Sequence, residues 1–201
     1  MAALDLVKPE LRRDLDEQMF EAACEGFKRE ATVEFRKDVA VHVRDGTLYV
    51  IMGGGRAMGF AVMKDFPEAG GTYISGIVKG GGTPSGIVER IVAEHARKFS
   101  VVAVRTQNDR VVEIIKDICD EVVPIDREAG EREFEILRQM ELFSDRVQPN
   151  LVIKQHFGGR PMIGDGERRR SRDGRVRQAT ERLDYQNGDA MLLIGYRKVL
   201  E

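Results

Sequence analysis

The 201 residues include no tryptophan, only two cysteines and only three histidines. Cys24 and Cys119 have the spacing of neither a zinc site nor a redox pair, so two buried free thiols are expected. His42, His95 and His156 offer no pair four apart on a helix, so no metal is expected. No apolar run approaches the length of a membrane-spanning helix. The opening stretch MAALDLVKPELRRDLDE lacks the long apolar core of a signal peptide, so the expected setting is cytoplasmic, away from membranes. An excess of one charge is missing too: 32 Lys and Arg against 34 Asp and Glu leave a net charge of -2, which names no partner. What is present, 42% hydrophobic and 33% charged residues, is the composition of a folded globular chain. A length of 201 suits one sizeable core, so a single domain over 1–201 is expected.

From Pro9 to Lys28, the residues Leu11, Leu15, Met19, Ala22, Ala23 and Phe27 recur at helical intervals. VAVHV (39–43) then alternates, Asp45-Gly46 signals a hairpin turn, and TLYVIM (47–52) continues as strand. A glycine turn at 53–55, a strand at 56–64 and the strand TYISGIV complete an expected antiparallel meander of three or four strands. After it the pattern changes: a helix face is marked by Ile87, Val88, Ile91, Val92 and Phe99, and SVVAVR (100–105) suits a strand covered on both sides. A second helix is expected from Asp109 to about Glu121, with VVPI as a short strand after it. Strand, helix, strand implies a crossover, which makes the strands at Tyr73 and Val101 parallel neighbours. The fold class is therefore α/β (α+β): a mixed, mostly antiparallel central sheet flanked by helices, with one parallel pair. The rest is expected as a helix over 131–146, a strand over 151–157, a polar loop over 158–184 and a final strand AMLLIGYRKVL.

Arg105, Thr106, Gln107 and Asn108 end the predicted parallel strand, the end at which ligands lie in open parallel sheets. The alternative is that they cap the next helix. Arg105 and Gln107 are candidates for substrate contact or positioning, since a neutral amide cannot act as a base. His42 and His95 read as solvent-facing or satisfied structural histidines. His156 ends a predicted strand in KQHFGG, and its imidazole is suited to deprotonating an amine.

The order from Leu48 to Ile125, and again from Leu183 to Gly195, resembles the GNAT superfamily of N-acyltransferases. YISGIV looks like its central strand, GGGTPSGIVERIV like its acyl-CoA pyrophosphate loop and following helix, and VVAVRTQNDRVVEIIKDICDEVVPI like the next strand and helix. LYVIMGGGRAMGFAVM is similar to the preceding hairpin, and DYQNGDAMLLIG to a closing strand of one branch. The resemblance implies a cofactor, acetyl-CoA or another acyl-CoA, and transfer of its acyl group to an amine of a small molecule or peptide by direct attack. It implies that the central and parallel strands splay to admit the pantetheine arm. The pyrophosphate would lie on amides of Gly81, Gly82, Thr83, Ser85 and Gly86, where a helix start favours an anion. A backbone N–H of Ile77 or Val78 would hold the thioester oxygen, and Asn108 matches a position that contacts the cofactor arm.

The chain also departs from the family. Thr83-Pro84-Ser85-Gly86 is one residue short of many relatives' loops, and Pro84 carries no N–H. Many relatives place a thiolate-protonating tyrosine on the second helix, and the corresponding Val112 and Ile115 cannot serve. These departures keep open a non-catalytic binding or assembly protein on the same fold. ERRRSRDGRVR (167–177), with six arginines against two acids, suits an anionic substrate, coenzyme A phosphates, nucleic acid or simply a solvated loop. Nucleic acid is the least supported of these, because no aromatics interleave the arginines.

Overall fold

The computed structural model describes residues 12–44, 46–143, 146–162 and 170–197. Two compact units emerge. The first takes in the described residues up to Asp65 together with Ile74–His95, and the second takes in Phe66–Tyr73, Ala96–Met162 and the described residues after Glu167. The strands form one sheet in the order β1-β2-β3-β4-β7-β5, with β6 beside β7, mostly antiparallel, and with β3 and β4 as the parallel pair.

In the first unit, α1 (Arg12–Phe27) and α2 (Val33–Arg44) precede the hairpin of β1 (Thr47–Gly53) and β2 (Arg56–Phe66). Leu15, Met19, Ala22 and Ala23 of α1 are buried at helical spacing. The segment 39–43, expected as a strand, lies within α2, a correction with a clear cause. Phe35 and Val39 are buried four residues apart, with Val43 packed against the same core, whereas Val41 stays 66% exposed. Spacing of four therefore decided the segment over alternation. Phe35 packs on Phe20 and Phe27 at ring distances of 5.9 and 6.1 Å, and the Phe35 amide donates to Thr32 Oγ1 at 3.2 Å, capping the helix. Asp45, half of the expected hairpin turn, lies outside the described residues.

β1 pairs antiparallel with β2 from Thr47 opposite Met63 to Gly53 opposite Arg56, with a bulge at Ile51/Met52. α3 (Ile87–Ala96) carries His95, which is 3% exposed. Its Nε2 lies 2.7 Å from Asp65 Oδ1 and its Nδ1 lies 2.8 Å from the Tyr49 hydroxyl. Both ring nitrogens thus have hydrogen-bond partners, so this histidine is a satisfied structural one.

β3 (Gly71–Lys79) gives its first residues to the second unit. There β7 (Ala190–Tyr196) is the organising strand. It pairs antiparallel with β4 (Val101–Thr106), β5 (Glu121–Val123) and β6 (Val152–Ile153), and Val101 and Glu121 both align with Tyr196. Its residues 190–195 are all buried, as a strand covered on both faces requires. α4 (Asp109–Ile118) buries Val112, Ile114 and Ile115. α5 (Glu131–Gln139) is shorter than expected: Glu141 and Phe143 adopt φ of 52° and 53°, a left-handed backbone that no helix continues through.

The expected strand at 151–157 shrinks to β6, because Leu151 and Gln155 also take positive φ. The expected loop at 158–184 contains α6 (Gly174–Thr180). That helix buries only Val176, Ala179 and Thr180, too few for a periodic signal, and is held by tertiary bonds. Asp173 caps it through the Arg175 amide at 2.8 Å and accepts from Lys116 Nζ at 2.5 Å, while the Ser171 amide donates to Asp109 at 2.8 Å. The segments expected before Arg12 and after Arg197 lie outside the described residues, as do Arg168 and Arg169. Among the described residues no helix is long and apolar enough to cross a membrane, and no group of acidic, histidine and cysteine side chains has the makings of a metal site.

Candidate cofactor loop and acceptor residues

After Lys79 the chain turns through Gly80–Gly86 into α3. The Gly80 amide donates to the Met58 carbonyl at 2.8 Å, and Gly82 and Gly86 take φ of 79° and 77°, which only glycine adopts at no cost. Thr83 Oγ1 lies 2.6 Å from the Met58 carbonyl and 2.9 Å from that of Gly80. Its single proton is directed at backbone oxygen, so Thr83 braces the loop from inside. Among the described residues, the amides of Gly82, Ser85 and Gly86 have no acceptor, and all three precede the first turn of α3.

The Gly81 amide is taken. It donates to Glu25 Oε2 of α1 at 2.8 Å, while Glu25 Oε1 lies 3.8 Å from the Arg56 guanidinium. These residues line an open cleft of about 660 Å³ with Gly53 and Met58. No sequence pattern marked Glu25 at the loop, since it sits 56 positions away on the polar side of an amphipathic helix. On β3, Val78 is buried in the first unit's core and Ile77 is half-buried.

The second unit holds the other candidates. Arg105 points toward two rings, 5.8 Å from the centre of Tyr73 and 5.3 Å from that of Phe143, and its guanidinium donates to the Tyr73 hydroxyl. His156 lies edge-on to Phe143 at 5.4 Å and to Phe157 at 4.8 Å. Arg105 and His156, 51 residues apart, therefore meet the same ring of Phe143, a residue no motif singled out. Gln107 is fully buried: its Nε2 donates to the Tyr185 carbonyl at 3.2 Å and its Oε1 accepts from the Met162 amide at 2.7 Å. It ties two loops to the end of β4. Asn108 caps α4, accepting from the Arg110 amide at 2.9 Å and donating its own amide to Thr106 Oγ1 at 2.9 Å. Val112 and Ile115 are wholly buried.

Solved structures share this fold. The chain aligns over its full length with the ribosomal-protein-S18-alanine N-acetyltransferase of Escherichia coli, at 7% identity, 97% of that chain and a TM-score of 0.55. An aminoglycoside 6'-acetyltransferase of type Ii matches all of this chain and 98% of its own at 10% identity and a TM-score of 0.51. The IAA acetyltransferase of Bacillus cereus covers 98% of this chain and 99% of its own at 13% identity and a TM-score of 0.50. No protein-family model matches the sequence. No curated protein matches it by sequence either. The chain thus has the GNAT acetyltransferase fold. At these identities the likeness is one of architecture and carries no substrate with it.

Proposed function

We propose that this protein transfers an acyl group, acetyl or longer, from coenzyme A to an amine of a small molecule or peptide by direct attack, in a cytoplasmic setting. The observation that carries this reading is the glycine loop, with three unclaimed donors on Gly82, Ser85 and Gly86 ahead of a helix start, in a chain of GNAT fold. Such donors fit a diphosphate, because backbone N–H groups and the helix dipole both favour negative charge. Bound there, acyl-CoA supplies an acyl group already activated as a thioester.

The chain's own residues divide the remaining work. Gly82, Ser85 and Gly86 hold phosphate oxygens on a frame made by Gly81 and Thr83. An N–H of Ile77 or Val78 stabilises negative charge on the carbonyl oxygen, an effect of roughly 3 kcal/mol per donor in comparable acyl-transfer sites. His156 takes the proton from the acceptor's ammonium, and Arg105, braced by Tyr73 and Phe143, positions the acceptor. Gln107 and Asn108 set the loops around them, with the Asn108 NH₂ left for the cofactor arm. α4 offers no acid at Val112 or Ile115, so protonation of a leaving thiolate would fall to solvent. Calorimetry with acetyl-CoA and longer acyl-CoAs tests the cofactor half: binding is expected, and none at about 1 mM ligand overturns it. Transfer to a broad amine panel tests the rest, with His156→Gln expected to lower kcat more than KM.

A second reading, a binding or assembly protein without catalysis, is favoured by the fate of Gly81 and Thr83, whose donors are already committed within the protein. It predicts no turnover with any amine even where acyl-CoA binds. Among the described residues of the arginine segment, Arg170 pairs with Glu181 at 3.4 Å and Arg175 with Asp126 at 3.1 Å, so these two charges are already partnered.

A further inference from the structure

The end of α1 is pressed onto the end of β3. A Cβ at Gly26 would stand 2.7 Å from the Lys79 carbonyl oxygen, and one at Gly80 would stand 2.8 Å from the Met58 oxygen and 3.3 Å from the Ala22 Cα. Two glycines thus permit an approach that no other residue would, and the approach delivers one side chain to the loop. Glu25 Oε2 accepts the Gly81 amide at 2.8 Å, and would lie 3.2 Å from a Cβ at either Gly80 or Gly81. A carboxylate on a backbone N–H is a charge-assisted bond, the same interaction a phosphate oxygen would make there.

We propose that Glu25 is an internal anion on the glycine loop and determines its specificity: a diphosphate binds only by displacing, or lying against, this carboxylate. The proposal rests on the reading of the loop as the acyl-CoA phosphate site. The displaced carboxylate has a second partner in place, since Glu25 Oε1 already lies 3.8 Å from Arg56, which also faces Glu21 at 3.7 Å. With Glu25 at rest, the loop presents one donor fewer and one negative charge more than its sequence shows. The loop therefore discriminates against small free anions and admits a ligand whose remaining parts bind elsewhere.

The test is titration calorimetry of inorganic pyrophosphate into the full chain and into Glu25→Gln, Glu25→Ala and Glu21→Gln. Glu21→Gln removes the same charge one turn earlier on α1 and leaves the loop contact intact. Both Glu25 variants are expected to bind pyrophosphate about tenfold tighter than the parent, with Glu21→Gln unchanged. Equal affinity in all four proteins, an equal gain in Glu21→Gln, or no binding by any of them overturns the proposal. Acyl-CoA titrated into the same proteins separates this from the functional reading. Acyl-CoA binding that ignores Glu25, with no pyrophosphate effect, sinks the gate and leaves the cofactor. A pyrophosphate gain without acyl-CoA binding leaves the gate and sinks the cofactor.

Discussion

Neutralising Glu133 should cost stability at neutral pH and almost none in strong acid. Its side chain is 1% exposed and receives four hydrogen bonds: two from Arg127 at 2.8 and 3.1 Å, one from the Tyr196 hydroxyl at 2.5 Å and one from the Gly130 amide at 2.7 Å. Burial alone raises its pKa, but the bonds from Arg127, Tyr196 and Gly130 outweigh it and bring the carboxyl from 4.5 down to about 2. A group whose folded pKa is depressed stabilises the fold fully above its unfolded value and loses that contribution as pH falls toward the folded one. Here the window runs from about pH 5 to pH 2. Linkage over that interval gives about 3 kcal/mol, and the 40% exposure of the Arg127 side chain screens it to about 2 kcal/mol. Glu133→Gln keeps the shape and loses the charge. Urea denaturation followed by circular dichroism at pH 7, 5, 4 and 3 should show a deficit of about 2 kcal/mol at pH 7 that shrinks steadily below pH 5. A deficit that stays constant with pH, or one absent at pH 7, would refute the reasoning.

Asn108→Ala should lower stability by about 1 kcal/mol through loss of the α4 cap, and Asn108→Asp should restore most of it, both read by thermal denaturation. Cys119, whose thiol is pushed up to about 12 by burial with Asp120 adding and Arg197 opposing, should resist Ellman's reagent at pH 8 in the folded protein and react once unfolded. Rapid native labelling of Cys119 would mean that its partial burial against Gly195 of β7 is wrong.

The elements with long, strongly periodic patterns were legible. The helices at 12–27, 87–96 and 109–118, the hairpin at 47–66 and the parallel strand at 101–106 all sit within a few residues of where apolar spacing places them. Short segments were not. Alternation at 39–43 is compatible with a strand until Phe35 and Val39 are seen packed on α1, and α6 is held by Lys116, Asp109 and Glu113, none of them near it in sequence. A seven-residue helix cannot outweigh its own nucleation cost, so its partners decide whether it forms.

Which backbone donors exist between Lys79 and Ile87 follows from the residues alone: glycines that permit positive φ, and a proline that removes one N–H. Those facts are local, because covalent structure alone decides them. Tertiary structure decided which donors are left. Thr83 turned its hydroxyl inward to Met58 and Gly80, Glu25 arrived from α1 to claim Gly81, and Phe143 joined Arg105 to His156. Each of these is a contact between residues far apart in the chain, made only when apolar burial fixes the helices and strands that carry them.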